Sequence, residues 1–154
     1  MHVARLSPHE LAPEAIRAVR AVDAYVSQSG LPRSLIELVK VRASQLNGCA
    51  FCVDMHAKDA RKHGETEQRL YLLAAWRDSP AYTPAERAAL AWTEALTRLT
   101  QAYPTEAEYE ALRAEFSDKA VVDLTTLIGL INLWNRFGVG MHYVHDVDRT
   151  EAAA

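Results

Sequence analysis

The chain has 154 residues, 49% of them hydrophobic, which is enough for one domain to bury its own core without disulfides or metals. Its 17 basic and 20 acidic residues give a net charge of -3. Neither sign forms a long block, so we expect no binding to nucleic acid or to anionic membranes. The first twenty residues lack the continuous apolar core of a secretory signal, and no apolar run is long enough to span a bilayer. We therefore expect a cytoplasmic protein.

Apolar residues recur at helical spacing along nearly the whole chain, and no alternating run predicts a strand. The sequence predicts an all-α fold: a single-domain bundle of about six to seven helices over residues 1–150, with a frayed C-terminal tail at 151–154. The predicted helices run from Pro13 to about Ser29, Pro32 to Asn47, about Cys49 to His63, Thr66 to about Asp78, Thr83 through Leu99, Thr105 to about Phe116, and Ser117 to about Phe137.

Local signals mark several of the helix ends. Thr83 and Thr105 are each followed three residues later by a glutamate, which predicts two capping boxes. The pair Asn47-Gly48 should end the second helix, and Gly64 should end the third in a left-handed conformation. The last helix is apolar almost all round, so we expect it to run through the middle of the bundle or to lie in an oligomer interface.

The segment Cys49-Ala50-Phe51-Cys52 contains both cysteines of the chain, and His56 lies four residues past the second. On a helix these three side chains would share one face. Free backbone N–H groups and the helix dipole at the start of that helix favour thiolate over thiol, and the spacing allows a disulfide. In a reducing compartment such a pair is more often catalytic, redox-active or metal-binding than a structural staple.

The two cysteines should differ in role because His56 is one helical turn from Cys52 but two turns from Cys49. His56 can act as general base for Cys52 only, which makes Cys52 the expected attacking thiolate. Cys49, nearer the helix start and expected to be more exposed, would resolve the product. With a peroxide, Cys52 would become a sulfenic acid and then form a disulfide with Cys49. An external dithiol, either a protein or a small thiol, must then reduce that disulfide.

Glu37 is the expected acidic partner of His56. If Asn47-Gly48 reverses the chain so that the second and third helices pack antiparallel, Glu37 lies about 3 Å along the helix axis from His56. The sequence therefore predicts a relay of Glu37, His56 and Cys52.

Other interpretations of the same residues stay open. A zinc site would need four ligands, and a second cysteine pair is missing. Both cysteines could be inert core residues. Glu37 could be a surface residue paired with Lys40 or Lys58. We expect no cofactor.

The residues Glu37, Cys49-Ala50-Phe51-Cys52 and His56 resemble the signature of the AhpD-like alkylhydroperoxidases in the carboxymuconolactone decarboxylase superfamily, and the segment Leu133-Trp134-Asn135-Arg136 extends the resemblance. It implies an all-helical homo-oligomer, such as a trimer or a hexameric trimer of dimers, with peroxidase or thiol–disulfide activity. It also implies that Cys52 is peroxidatic, that Cys49 is resolving, and that His56 and Glu37 form a proton relay. Trp134 and Asn135 would border the pocket.

One position departs from this resemblance. The best-studied members have a histidine just before the second cysteine, where this chain has Phe51. The departure implies a shorter proton relay in this protein.

The sequence therefore predicts a thiol-dependent, alkylhydroperoxidase-like enzyme that takes a peroxide and a dithiol reductant. The alternative is a non-catalytic oligomeric module that senses redox state or binds a small molecule in the same pocket.

Overall fold

A computed structural model describes residues 3–147, which are helical with no strand. The predicted all-α fold is confirmed, with slightly more helices than predicted. The elements are α1 (Pro8–Leu11), α2 (Pro13–Ser27), α3 (Arg33–Asn47), α4 (Ala50–Lys62), α5 (Glu67–Leu72), a 3₁₀ helix (Leu73–Asp78), α6 (Pro84–Thr97), α7 (Glu106–Glu115) and α8 (Asp118–Gly140). The tail predicted to fray, residues 151–154, lies outside the described part of the chain.

The predicted helix-end signals are confirmed. Thr83 and Thr105 both form capping boxes, in which the threonine side chain and the glutamate three residues later each accept a backbone N–H. Gly48 and Gly64 adopt φ values of +68° and +92°, a region in which glycine avoids the steric cost that other residues meet. These local contacts determine where α3, α4, α6 and α7 begin or end.

One short helix was missed. The short α1 was not predicted, because four residues are too few to show a helical period. The helix predicted to begin at about Cys49 is confirmed: its first residue is Ala50, and Cys49, with extended backbone angles (φ -87°, ψ 93°), is its N-cap.

The centre of the fold is α3, where residues 35–44 are all buried. This helix packs against α4, α6 and α8. The last helix, predicted to be central or interfacial, instead buries one face and leaves Val122, Leu133 and Val139 exposed. Its interfacial role stays a prediction.

Buried polar side chains hold α8 against the end of α3. The amide of Asn135 donates to the Ser44 hydroxyl at 2.9 Å, and the amide of Asn47 donates to the Asn135 oxygen at 2.9 Å. The carbonyl of Ser44 accepts the backbone N–H of Cys49 at 3.0 Å. Because buried polar groups are costly when unpaired, this network sets the position of α8 relative to the cysteines.

Gly138 is the point at which α8 passes closest to the cysteine pair. A Cβ atom at this position would lie 2.6 Å from the sulfur of Cys49 and 3.2 Å from the sulfur of Cys52. Any larger residue would force the helix or the sulfur atoms to move.

Within residues 3–147, no helix has both the length and the apolar character needed to cross a membrane.

Gly138→Ala should destabilise the protein by about 1–3 kcal/mol because the added methyl group overpacks the sulfur atoms. Urea unfolding of the oxidised protein would measure this loss. Gly129→Ala is the matched control, since a Cβ at 129 in the same helix meets nothing within 4 Å. That variant should be stabilised by up to about 1 kcal/mol. Equal stability of the two variants would contradict the packing argument.

Glu94 should stabilise the fold in a pH-dependent manner. Burial alone raises its pKa, but hydrogen bonds from Trp76 and Arg42 and the charges of Arg42 and Arg77 outweigh burial and hold the pKa below its ordinary value. Its contribution is therefore full above the unfolded-state pKa and is lost as the pH falls through the lower folded-state value.

Glu94→Gln should lower the free energy of unfolding by about 2 kcal/mol at pH 7. In urea titrations the difference from wild type should shrink as the pH falls below about 4. The exposed Glu115, changed to Gln, should show almost no difference at either pH. A pH-independent loss in Glu94→Gln would refute the electrostatic explanation.

Candidate active site

Cys49 and Cys52 are joined by a disulfide, with their Cα atoms 5.3 Å apart. Cys49 is the N-cap of α4, and its sulfur accepts the backbone N–H of Cys52 at 3.3 Å. Cys52 is the third residue of the helix. Both sulfur atoms therefore lie at the positive end of the helix dipole, so this environment alone does not distinguish them.

The prediction that Cys49 is the more exposed cysteine was wrong. The residue is 2% exposed and Cys52 is 3% exposed. The reason is tertiary, because α8 covers the disulfide at Gly138.

Glu37 and His56 meet in the interior, between α3 and α4. His56 Nδ1 lies 3.1 Å from Glu37 Oε2, and the two residues are 7% and 1% exposed. The other carboxylate oxygen, Oε1, pairs with Arg33 at 3.0 Å. The contact expected from the antiparallel hairpin is therefore present. It engages the Nδ1 nitrogen of His56, and Nε2 is the ring nitrogen that takes no part in it.

The surface interpretation of Glu37 does not apply. Lys40 bonds instead to Asp23 at 3.1 Å, and Lys58 pairs with Asp54 at 3.0 Å. A buried carboxylate requires charge or hydrogen-bond partners, and Glu37 has them in Arg33 and His56.

A cavity of about 260 Å³ opens beside Cys52 and His56. Its lining combines residues from α1, α2, α3, α4 and α8 with one that follows α8: His9, Arg20, Asp23, Lys40, Phe51, Cys52, Met55, His56, Trp134 and Tyr143. Cys49 lines other, more open clefts, one beside Ala57 and one beside Val139. The two sulfur atoms of one disulfide thus border different cavities, and His56 lines the cavity beside Cys52.

Tyr143 lines the cavity, and sequence reasoning missed it. Its hydroxyl is buried and has no hydrogen-bond partner among residues 3–147, and burial raises its pKa above the ordinary value. The ring of Phe51 packs edge-on against the ring of Tyr143, with centroids 5.3 Å apart. Phe51 therefore has a packing role at the position where the resemblance leads one to expect a histidine.

The sequence also predicted that Trp134 and Asn135 border the pocket, and the structure places one of them there. Trp134 does line the cavity. Asn135 does not, because its side chain is buried in the hydrogen-bond network with Ser44 and Asn47. Gly138 and Lys40 were also missed as site residues, since close approach and cavity lining depend on neighbours far away in sequence.

No set of side chains that could bind zinc is present in the described region. Among residues 3–147, no three His, Cys, Asp or Glu side chains gather as they would around a metal ion.

Comparison with known proteins agrees with this architecture. Residues 10–95, more than half of the chain, match the carboxymuconolactone decarboxylase family. The uncharacterized protein YdfG of Bacillus subtilis is 43% identical over 137 residues, which span 89% of this chain and 93% of YdfG.

Two crystal structures extend the likeness to three dimensions. One, from Agrobacterium tumefaciens, is of a protein of unknown function provisionally described as the antioxidant defence protein AhpD. It superposes with a TM-score of 0.92 at 46% identity, over 95% of this chain and 100% of its own. The debrominase Bmp8 superposes with a TM-score of 0.78 at 20% identity, over 87% and 72% of the two chains, a likeness of fold alone. With its all-helical fold, its matched residues and these relatives, the chain belongs to the carboxymuconolactone decarboxylase family, in the AhpD-like group.

Proposed function

We propose that the protein is a thiol-dependent peroxidase of the alkylhydroperoxidase type. The observation that carries the proposal is that Cys52 of the disulfide shares a cavity with His56, and that Glu37 is hydrogen-bonded to His56. A thiolate, a proton-transfer group and an orienting carboxylate are the parts that an activated thiol nucleophile requires.

In the first step, His56 takes the proton of the reduced Cys52. The thiolate attacks the terminal oxygen of the hydroperoxide, so that an S–O bond forms while the O–O bond breaks. The alkoxide leaves and takes a proton from His56 to become an alcohol. The peroxide has then received two electrons, and Cys52 is a sulfenic acid.

In the second step, the sulfur of Cys49 attacks the sulfur of Cys52. The S–S bond forms, the S–O bond breaks, and the hydroxide leaves as water with the proton of Cys49. The overall reaction converts a hydroperoxide and two thiols into an alcohol, water and the disulfide.

A dithiol reductant closes the cycle by thiol–disulfide exchange. Because Cys49 borders open clefts away from His56, we propose that the reductant attacks Cys49 and that Cys52 leaves as a thiolate. A sulfur stabilised as thiolate is the better leaving group. The reductant is a protein dithiol or a small thiol, available in a reducing cytoplasm.

The role of Glu37 is to hold His56 through Nδ1, so that Nε2 is the nitrogen that exchanges protons in the cavity. Glu37 is thus a positioning residue.

The proposal includes a homo-oligomer, a trimer or a hexamer, as the AhpD-like resemblance implies. The exposed apolar residues Val122, Leu133 and Val139 of α8 support it.

The second candidate is a non-catalytic module that senses redox state or binds a small molecule. The burial of both sulfur atoms favours it, since a buried disulfide reacts slowly with bulky partners. Turnover measurements separate the two candidates.

Cys52→Ser should abolish peroxide consumption, because it removes the attacking sulfur. Cys49→Ser should consume about one equivalent of peroxide and leave a sulfenic acid that dimedone traps, because the resolving sulfur is missing. Peroxide assays and intact-protein mass spectrometry would measure both results. Equal, negligible turnover by wild type and both variants, with several peroxides and dithiols, would exclude the enzyme.

Glu37→Gln should lower kcat by about 10²-fold, within the usual contribution of acid–base catalysis, with a smaller change in KM. The cause is the loss of the carboxylate that orients His56. Steady-state kinetics from pH 5 to pH 9 would show both the loss and a changed pH profile.

The matched control is Glu65→Gln. Glu65 is also a largely buried carboxylate, paired with Arg69 at 2.8 Å, and it does not line the cavity. This control should lose stability but keep the wild-type pH profile. If Glu37→Gln and Glu65→Gln had the same kinetics, Glu37 would have only a structural role.

A further inference from the structure

We propose that the cavity beside Cys52 selects hydroperoxides that carry a carboxylate on a small apolar body. This inference rests on the proposed peroxidase function and names the substrate class of that site. It follows from three features of the cavity: its size, its apolar wall and its uncompensated positive charge.

The size and the wall determine the body of the substrate. At about 260 Å³, the cavity is just below the roughly 300–1,000 Å³ of sites for drug-sized ligands. Phe51, Met55 and Trp134 supply its apolar surface. An aromatic ring or a short branched alkyl group can bury such a wall, whereas hydrogen peroxide has no apolar surface and would leave the wall in contact with water.

The charged groups that line the cavity do not cancel. Lys40 is only 6% exposed and its ammonium bonds to Asp23 at 3.1 Å, so these two charges balance. Arg20, an exposed residue one turn before Asp23 on α2, also lines the cavity and makes no hydrogen bond or ion pair with any residue in 3–147. One positive charge is therefore left for a ligand.

The acidic groups nearby are already engaged. Glu37 is shared between Arg33 and His56, and Asp23 is held by Lys40. His9 also lines the cavity, and an imidazole brings no negative charge to it. Among residues 3–147, an anionic substrate in this cavity thus meets no unpaired carboxylate.

A carboxylate matches the guanidinium of Arg20 because the planar fork of arginine donates two parallel hydrogen bonds to it. Arg20 belongs to α2, and Cys52 and His56 belong to α4. A ligand that spans the cavity can therefore place its carboxylate at Arg20 and its peroxide group at Cys52.

The test compares cumene hydroperoxide bearing a para-carboxylate with the methyl ester of the same compound. Both have the same reacting group, and only the first is charged at pH 7. Wild type should show a kcat/KM about tenfold higher for the carboxylate than for the ester, because one charge-assisted hydrogen bond contributes about that factor. In Arg20→Gln the ratio should fall to about one, and Arg20→Lys should keep part of it because the charge remains.

Arg17→Gln is the matched control. Arg17 is an exposed arginine one turn earlier on α2, and it does not line the cavity. This variant should keep the wild-type ratio, which separates a local contact from a change in net charge. A wild-type ratio near one, or a tenfold ratio preserved in Arg20→Gln, would overturn the inference.

Failure of the peroxidase proposal gives a different result. If wild type consumed neither hydroperoxide, the peroxidase would be excluded, and binding would still decide the substrate class. Titration calorimetry with the corresponding para-carboxylate alcohol and its methyl ester should then show tighter binding of the acid to wild type and Arg17→Gln but not to Arg20→Gln. Equal binding of acid and ester to wild type would refute the carboxylate site.

Discussion

The burial of Glu37 in the central helix is the constraint on which the rest of the site depends. A carboxylate that is 1% exposed must be paired, and its partners are Arg33 on its own helix and His56 on the next. The pairing holds α3 and α4 in one antiparallel register. That register places His56 at the cavity that Cys52 also lines, so one buried charge links the packing of two helices to the chemistry of a thiol.

The disulfide is positioned from both sides. Below it, Ser44 accepts the N–H of Cys49 and the hydroxyl of Ser44 accepts from Asn135. Above it, Gly138 lets α8 approach so closely that a Cβ atom at this position would lie 2.6 Å from the sulfur of Cys49 and 3.2 Å from that of Cys52. The result is a disulfide that is almost fully buried, with Cys52 lining one cavity and Cys49 lining two other clefts. This geometry suits a cycle in which the oxidant reaches one sulfur and the reductant the other.

Phe51 gives the cavity an aromatic side chain at the position where the resemblance leads one to expect a histidine. Phe51 packs on Tyr143 and adds apolar surface where a second proton-transfer group would stand. The polar groups of the lining include His9, His56, the charges on α2 and α3, and the Tyr143 hydroxyl, which has no hydrogen-bond partner in the described part of the chain. The cavity therefore combines few groups that can transfer a proton with a largely apolar wall.

The sequence by itself determined most of the helices and both capping boxes, because helical spacing and capping depend on residues close along the chain. It also predicted the contact between Glu37 and His56, because the turn at Asn47-Gly48 brings the two helices that flank it side by side. It also singled out the cysteine pair. Only the tertiary structure decided that Cys49 is buried, that Gly138 must lack a side chain, and that Tyr143 and Arg20 line the cavity. These facts arise where α2, α4 and α8 meet, and such contacts between distant segments leave no periodic or local signal in the sequence.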